Sequence, residues 1–250
     1  MPLLSNKVAL ITGSSRGIGA ATARLFAANG AAVVVNYVTN SEAADGVVAD
    51  IRKSGGKAIA IQADAADSDQ VRQMVTKATH ALGDIDILVL NASITFPVVP
   101  FVEFKWADFE QKLMRELKAS FFSCQAVVPG MIERKSGAII AVSSGLSRQP
   151  GPGFIAHSTA KSGLDAFAKS LAMELGPHGI RVNVVAPGLT VTDATAFQPE
   201  EMKQMIASHT PLRRLAQPED IAGAILMLAS DHCGFVSGTY TPVSGGMQME

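Results

Sequence analysis

The sequence predicts an α/β fold: a Rossmann-type, doubly wound parallel sheet of about seven strands between two helical layers, in a single domain. Short apolar segments alternate with helical segments along the chain, as in successive βαβ units. A glycine-rich turn, Thr12–Gly19, follows the first apolar segment, where such folds bind phosphate. Polar residues follow several later apolar segments, at the sheet edge where ligands bind. The length of 250 residues suits one such domain.

The first half of the chain contains four predicted strands and three predicted helices. The first strand is continuously apolar, which is typical of a strand buried on both faces. Glycines end the first two helices, and Asp67 is expected to cap the third. The predicted strands are residues 7–12, 32–37, 57–63 and 85–90, and the predicted helices end at 29, span 41–54, and run from 67 to about 81.

The second half continues the alternation. A Pro-broken aromatic loop, residues 94–106, is expected to pack either over an apolar substrate or against its own helix. Residues 1–92 form the predicted dinucleotide-binding half and 93–250 the substrate-binding half, with a lid at about 189–212. The predicted strands are residues 138–143, 180–186 and 238–243, and the predicted helices are 106–134, 154–176, 198–208 and 218–229.

Composition excludes several classes of function. The net charge is −1 without a basic block, so nucleic acid and anionic membranes are not expected partners. The two cysteines, Cys124 and Cys233, are far apart, which favours reduced thiols in a cytoplasmic protein and no metal site. Neither a cleavable leader nor a bilayer-spanning segment is expected.

The glycine-rich turn predicts a dinucleotide site. Glycines at this place let the backbone turn sharply, approach a pyrophosphate and pack a helix on a strand. Asn36 ends the second strand, where an NAD-selective enzyme would usually carry an acidic residue for the ribose. Arg16 lies in the turn and could pair with a 2′-phosphate. These two positions favour NADP(H) over NAD(H).

A candidate proton-handling set lies between Ser144 and Lys161. His157 and Lys161 are four residues apart on a predicted helix, so they share one face. Ser144 follows the fifth strand, at the same sheet edge. A hydroxyl, an imidazole and an ammonium could therefore meet in one cleft and move a proton.

Several separated motifs, in order, resemble the short-chain dehydrogenase/reductase family, and most closely its 3-oxoacyl-carrier-protein-reductase-like members. The resemblance covers nearly all of the chain, from the TGxxxGxG-like turn to the Arg181–Gly188 segment and Thr192. It implies that Ser144 and Lys161 are catalytic. It also implies a cofactor site formed by Gly13, Ser14, Ser15, Arg16, Gly17, Ile18, Gly19, Asn36, Asp64, Ala65, Asn91, Ala92, Lys161, Pro187, Gly188, Thr190 and Thr192.

The sequence departs from the family pattern at the catalytic positions. His157 stands where the resemblance implies a tyrosine, and Glu116 stands at the position of the relay asparagine. The only two tyrosines of the sequence lie elsewhere: Tyr37 in the second predicted strand and Tyr240 in the last one. Leu90 and Ser93 also differ from the family's NNAG motif.

Three hypotheses follow. The chain could be an NADP(H)-dependent carbonyl reductase or alcohol dehydrogenase, in which His157 acts as acid and base and Ser144 holds the oxygen. It could be a non-redox enzyme that uses His157 and Glu116 for a dehydration, isomerisation or cyclisation. It could also be a catalytically silent subunit. The intact turn and Lys161 argue against complete loss of function.

The substrate is expected to be a largely apolar carbonyl or acyl compound, because the aromatic loop and the lid near Met202 and Met205 are apolar. The family resemblance implies a homotetramer built through the helices that carry Glu116 and His157. A hetero-oligomer with another family member is the alternative for a silent subunit.

Overall fold

A computed structural model describes residues 2–249 as one seven-stranded sheet in which every neighbouring pair of strands is parallel. The strand order is β3-β2-β1-β4-β5-β6-β7. This order confirms the predicted doubly wound fold. The strands are β1 Val8–Ile11, β2 Ala32–Tyr37, β3 Lys57–Gln62, β4 Ile87–Leu90, β5 Gly137–Val142, β6 Ile180–Pro187 and β7 Tyr240–Val243.

Helices cover both faces of the sheet, so the domain has three layers. The first, second and seventh helices pack on one face, and the third, fourth and fifth pack on the other. The sixth helix lies within the predicted lid. The helices are α1 Gly17–Ala28, α2 Ser41–Lys53, α3 Ser68–Leu82, α4 Trp106–Arg134, α5 Ile155–Leu175, α6 Glu200–His209 and α7 Pro218–Ala229.

Each face of the sheet has its own hydrophobic core. Phe26 and Ile225 are buried in the core on the α1 side, and Met74, Met131 and Leu164 in the core on the α4 side. Truncation of such a side chain to alanine costs about 2–5 kcal/mol of unfolding free energy. Both cores hold the helices that carry the candidate site at fixed distances from the sheet.

Most predicted boundaries agree with the structure to within two residues, and local hydrogen bonds explain the differences. The fourth strand was expected from Ile85 but begins at Ile87. At Asp86 the pairing with β1 is mixed: its backbone N–H donates to the carbonyl oxygen of Val8 at 2.9 Å, but the N–H of Val8 donates to the Asp86 carboxylate at 2.8 Å instead of to a backbone carbonyl. The predicted cap at Asp67 is confirmed, since its side chain accepts the N–H groups of Asp69 and Gln70.

The longest helix, α4, spans 29 residues and matches the predicted range 106–134. Charged side chains interrupt its apolar surface, and Lys112 and Glu116 even lie on its buried face. Among residues 2–249, no helix combines the length and apolarity needed to cross a membrane.

The chain leaves β1 towards β2 on one side, whereas β4 lies on the other side. This reversal creates a crevice at the carboxyl ends of β1 and β4, where open α/β sheets bind their ligands. The glycine-rich turn, Asn91 and the loop after β5 all lie at this edge.

Candidate active site

The glycine-rich turn packs so closely against its neighbours that side chains larger than hydrogen do not fit at two positions. A Cβ atom on Gly19 would lie 2.6 Å from Nδ2 of Asn91 and 2.7 Å from the carbonyl oxygen of Gly13. Gly13 itself has a φ of 61° and would bring a Cβ within 3.0 Å of Cα of Ala92. The turn is therefore a tight backbone cradle that leads into α1, where free N–H groups favour an anion.

The end of β4 is tied to the same turn. The hydroxyl of Thr12 accepts the N–H groups of Asn91 and Ala92, both at 3.0 Å. The side-chain amide of Asn91 donates to the carbonyl oxygens of Thr12 and Gly13, both at 2.9 Å. Asn91 thus holds the shape of the predicted cofactor turn from the neighbouring strand.

Asn36 lies near the end of β2, as expected, but its side chain has different partners from those the sequence suggested. It is buried, and its Oδ1 accepts the N–H of Gly13 at 3.0 Å while its Nδ2 donates to the carbonyl oxygen of Ala63 at 2.9 Å. Because both ends of the amide have backbone partners, Asn36 braces the turn and does not present its side chain to a ribose. Arg16, by contrast, is the residue just before α1, and its exposed side chain makes no capping hydrogen bond to the helix.

Asp64 lies at the carboxyl end of β3, as expected, and is paired with a cation from α4. Its Oδ2 lies 2.6 Å from a guanidinium nitrogen of Arg115, and its Oδ1 accepts the N–H of Ala66 at 2.9 Å. Arg115 was not predicted as part of this region. The contact links the adenosine side of the predicted site to the helix that carries Glu116.

The segment after β6 lies above the glycine-rich turn. A Cβ on Gly17 would meet the methyl group of Thr192 at 3.4 Å, so Thr192 stands directly over the start of α1. Thr190 is buried, and its carbonyl oxygen accepts the hydroxyl of Thr195 at 2.7 Å. The predicted lid therefore begins from a fixed base, and α6 follows it.

Ser144 lies directly after β5, in the loop that leads to α5. Its hydroxyl oxygen accepts the N–H of Leu146 at 3.2 Å, which leaves the hydroxyl hydrogen available for another acceptor. Two long-range contacts hold this loop. The hydroxyl of Tyr240 donates to the carbonyl oxygen of Ser144 at 3.2 Å, and the amide of Gln248 donates to that of Gly145 at 2.9 Å.

A buried chain of three charges connects α4 and α5. One oxygen of Glu116 lies 2.7 Å from Nζ of Lys161, and the other lies 2.6 Å from Nζ of Lys112. Lys161 also donates to the carbonyl oxygen of Val142 at 2.7 Å. Burial alone would raise the pKa of Glu116, but the charges of Lys161 and Lys112 outweigh it and lower that pKa to about 2. Glu116 is therefore a carboxylate at neutral pH.

His157 lies one helical turn before Lys161 and packs against the aromatic loop. Its ring is stacked on Phe96, with centroids 5.0 Å apart and an interplanar angle of 16°, and meets Phe154 edge-on. Its buried Nδ1 has no hydrogen-bond partner among the described residues. Burial, followed by the charges of Lys161 and Lys112, lowers the pKa of His157 to about 3. The imidazole is consequently neutral over the physiological range.

Two parts of this arrangement were not foreseen from the sequence. Lys112 was not singled out, although its spacing of four residues from Glu116 on a helix face was a visible signal. The aromatic side chains of the loop differ in their surroundings, and packing over a substrate stays a prediction. Phe96 packs against His157, whereas Phe101 and Trp106 are largely exposed.

The geometry fits a dinucleotide. Because Gly13 and Gly19 have no Cβ to collide with Asn91 and Ala92, the turn can fold tightly and bring its backbone close to a pyrophosphate at the start of α1. Thr192 lies next to Gly17 in the glycine-rich turn. On α5, the Nδ1 atom of His157 has no hydrogen-bond partner among the described residues and is a candidate to bind a ligand. The turn, Thr192 and Lys161 would hold such a cofactor.

Comparison with known proteins gives the family. Residues 13–248 match the family model described as enoyl-(acyl carrier protein) reductase. A 3-oxoacyl-(acyl-carrier-protein) reductase of Synechocystis is 42% identical over 251 residues, which cover 100% of both chains. The corresponding reductase of Staphylococcus aureus is 38% identical over 97% of this chain and 98% of its own.

Solved structures agree with these sequence matches. A mutant short-chain dehydrogenase/reductase from Serratia marcescens superposes with a TM-score of 0.90 at 32% identity, covering 97% of this chain and 98% of that one. The family model and the relatives each span nearly the whole chain. The chain therefore belongs to the short-chain dehydrogenase/reductase family.

Proposed function

We propose that the chain is an NADP(H)-dependent ketoreductase that interconverts a carbonyl and a secondary alcohol on a largely apolar acyl substrate. The observation that carries this proposal is the unpartnered Nδ1 of His157, beside Phe96 and one turn from Lys161. The names of the two reductase relatives support the substrate class. The exposed side chain of Arg16 at the start of α1, which could pair with a 2′-phosphate, supports NADP(H) over NAD(H).

A bound nicotinamide dinucleotide would supply the hydride. The chain's own residues then have to orient the substrate and stabilise the oxygen that gains charge. The hydroxyl of Ser144 and an N–H of the neutral His157 ring can both donate to that oxygen. Lys161 and Lys112 add positive charge that only Glu116 offsets. The proton that completes the alcohol comes ultimately from water.

Glu116 has a different role from the acid–base role considered for it. It is buried, contacts two ammonium groups and stays ionised, so it neither gives nor takes a proton near neutral pH. We assign it to orient Lys161. This argues against a non-redox enzyme that uses both His157 and Glu116 for acid–base chemistry, because such an enzyme needs Glu116 to carry a proton.

The test mixes purified protein with NADPH and a panel of β-keto thioesters, quinones and ketones, and follows the near-ultraviolet absorbance of NADPH. We expect turnover with at least one carbonyl class, and its loss in Lys161→Ala. Tight NADPH binding without turnover on any class would contradict the proposal and favour the silent-subunit or non-redox alternative. His157→Tyr is a second probe, because reduction that appears only in this variant would mean that reduction was not the native role.

A further inference from the structure

Lys112 is a charged group in the interior of the described chain, with 0% of its side chain exposed. Its ammonium donates to Oγ of Ser93 at 3.0 Å, to the carbonyl oxygen of Ile94 at 2.8 Å and to Glu116 at 2.6 Å. An ammonium has three N–H groups, so these three contacts use all of them. Two of the three partners belong to the loop after β4.

Burying a lysine at this place is costly, so its contacts have to compensate. Burial lowers the pKa of Lys112 to about 8, opposed by Glu116 and reinforced by Lys161. A simple packing role would be served as well by an apolar side chain, because replacing a buried ion pair in this way is often neutral or stabilising. Because Lys112 lies next to the candidate site, its positive charge can act on the residues of that site.

Lys112 reaches His157 by a short chain of contacts. Its Nζ lies 5.0 Å from the ring centroid of Phe96, and the same ring is stacked on His157 at 5.0 Å. Ser93 and Ile94, which Lys112 binds, come just before Phe96 along the chain. The lysine therefore fixes the start of the loop segment whose aromatic ring covers the imidazole.

We propose that Lys112 is a positioning residue of this site, which pins the segment from Ser93 to Phe96 over His157 and adds positive charge around the imidazole. The titratable groups that act on His157 are Lys161 on its own helix and Lys112 and Glu116 on α4. Their charges sum to +1 when both lysines are protonated. The part of the proposal that concerns reaction rate rests on the proposed function, whereas the part that concerns the imidazole does not.

The sign of the expected change follows from this charge count. Removal of Lys112 leaves Lys161 and Glu116, whose charges cancel, so protonation of His157 becomes easier and the pKa of His157 rises. Removal of both Lys112 and Glu116 leaves Lys161 alone and restores the sum of +1. If Lys112 acted only by holding the loop, its removal would admit water to His157 in both variants, and the pKa of His157 would rise equally in both.

The experiment is a proton NMR titration of His157 in the full chain, with its signal assigned by loss in His157→Phe. In Lys112→Met we expect the pKa of His157 to rise by about one unit or more, which is a tenfold change in proton affinity. In Lys112→Met/Glu116→Gln we expect it to return towards the wild-type value. Lys112→Arg should keep the wild-type titration, and Lys118→Met, on the exposed side of α4, is the matched control.

Two results would overturn the proposal: a His157 titration in Lys112→Met equal to that of Lys118→Met, or an equal rise in the single and double variants. If Lys112→Met does not fold, Glu116→Gln carries the same test with the opposite sign, since it raises the charge sum to +2 and must lower the pKa of His157. These titrations need no turnover, so an inactive protein would refute the proposed reduction and leave this test intact. If reduction is observed, Lys112→Met should lower kcat about tenfold or more with little change in KM.

Discussion

The imidazole of His157 differs from an ordinary surface histidine because it stays neutral well below neutral pH. Burial and two lysines oppose its protonation, and only Glu116 favours it. Ser144, His157 and Lys161 could be chosen from the sequence because spacing and strand ends place them at one edge. The neutrality of His157 could not, since it depends on Lys112 and Phe96, which reach it only through tertiary packing.

The depressed pKa makes His157 a source of pH-dependent stability. An unfolded imidazole has a pKa of 6.5 and the folded one about 3, so the stability is fully present above 6.5 and is lost as the pH falls towards 3. Relative to His157→Phe, we expect the wild type to lose about 2 kcal/mol more unfolding free energy between pH 7.5 and pH 5. Urea unfolding at the two pH values measures the difference. Equal losses in both proteins would show that His157 titrates normally in the fold.

At the scale of elements, chain order and strand type could be predicted because β1, β4 and β5 are short apolar runs that alternate with helical segments. The ranges of β2, α4 and α7 agree fully with the sequence expectation. The start of β7 differs from the expected residue 238. Gly238 and Thr239 each make one backbone hydrogen bond to β6, and the regular pairing of the two strands begins only at Tyr240. The bracing role of Asn36 was also hidden, since it needs partners from the turn and from the end of β3.

The tight cradle after β1 gives a prediction for α1. In Gly19→Ala the new methyl group meets Asn91 and the backbone of Gly13, so the turn has to shift. Relative to the wild type, we expect the dissociation constant for NADPH to rise about tenfold or more. We expect the free energy of unfolding to fall by about 1–3 kcal/mol. Gly46, within α2, has open space around it, so Gly46→Ala should bind NADPH normally and gain about 0.5–1 kcal/mol. Calorimetric titration measures the NADPH affinity of both variants, and urea unfolding measures their stability. A wild-type NADPH affinity in Gly19→Ala would contradict the prediction that the turn is too tight for a side chain.

For the whole molecule, the doubly wound parallel sheet between two helical layers was predictable, whereas assembly and location in the cell were not. The homotetramer and the cytoplasmic location stay predictions. The exposed apolar side chains of the long helices, among them Phe121 and Met173, fit an interface between copies of the chain. Assembly could not be predicted because an exposed apolar surface does not show which protein binds to it.

The assembly can be tested at Phe121, which is 48% exposed on α4 and lies beside Phe122 and Phe167. We expect a tetramer for the wild type and a smaller species for Phe121→Glu, because a carboxylate there would be desolvated at the interface. Val38, which is 47% exposed after β2, gives the control Val38→Glu with unchanged mass. Light scattering after gel filtration measures the masses, and a wild-type monomer would refute the expected assembly.

The transfer of deuterium tests the central claim most directly. The protein is incubated with NADPH that carries deuterium at the reactive carbon, together with the carbonyl compound that gives turnover, and the product is analysed by mass spectrometry. Reduction predicts one deuterium on the new carbinol carbon from only one face of the cofactor ring, and much slower formation of this product in His157→Phe. A product without deuterium, or a labelled product formed equally fast without His157, would contradict the account.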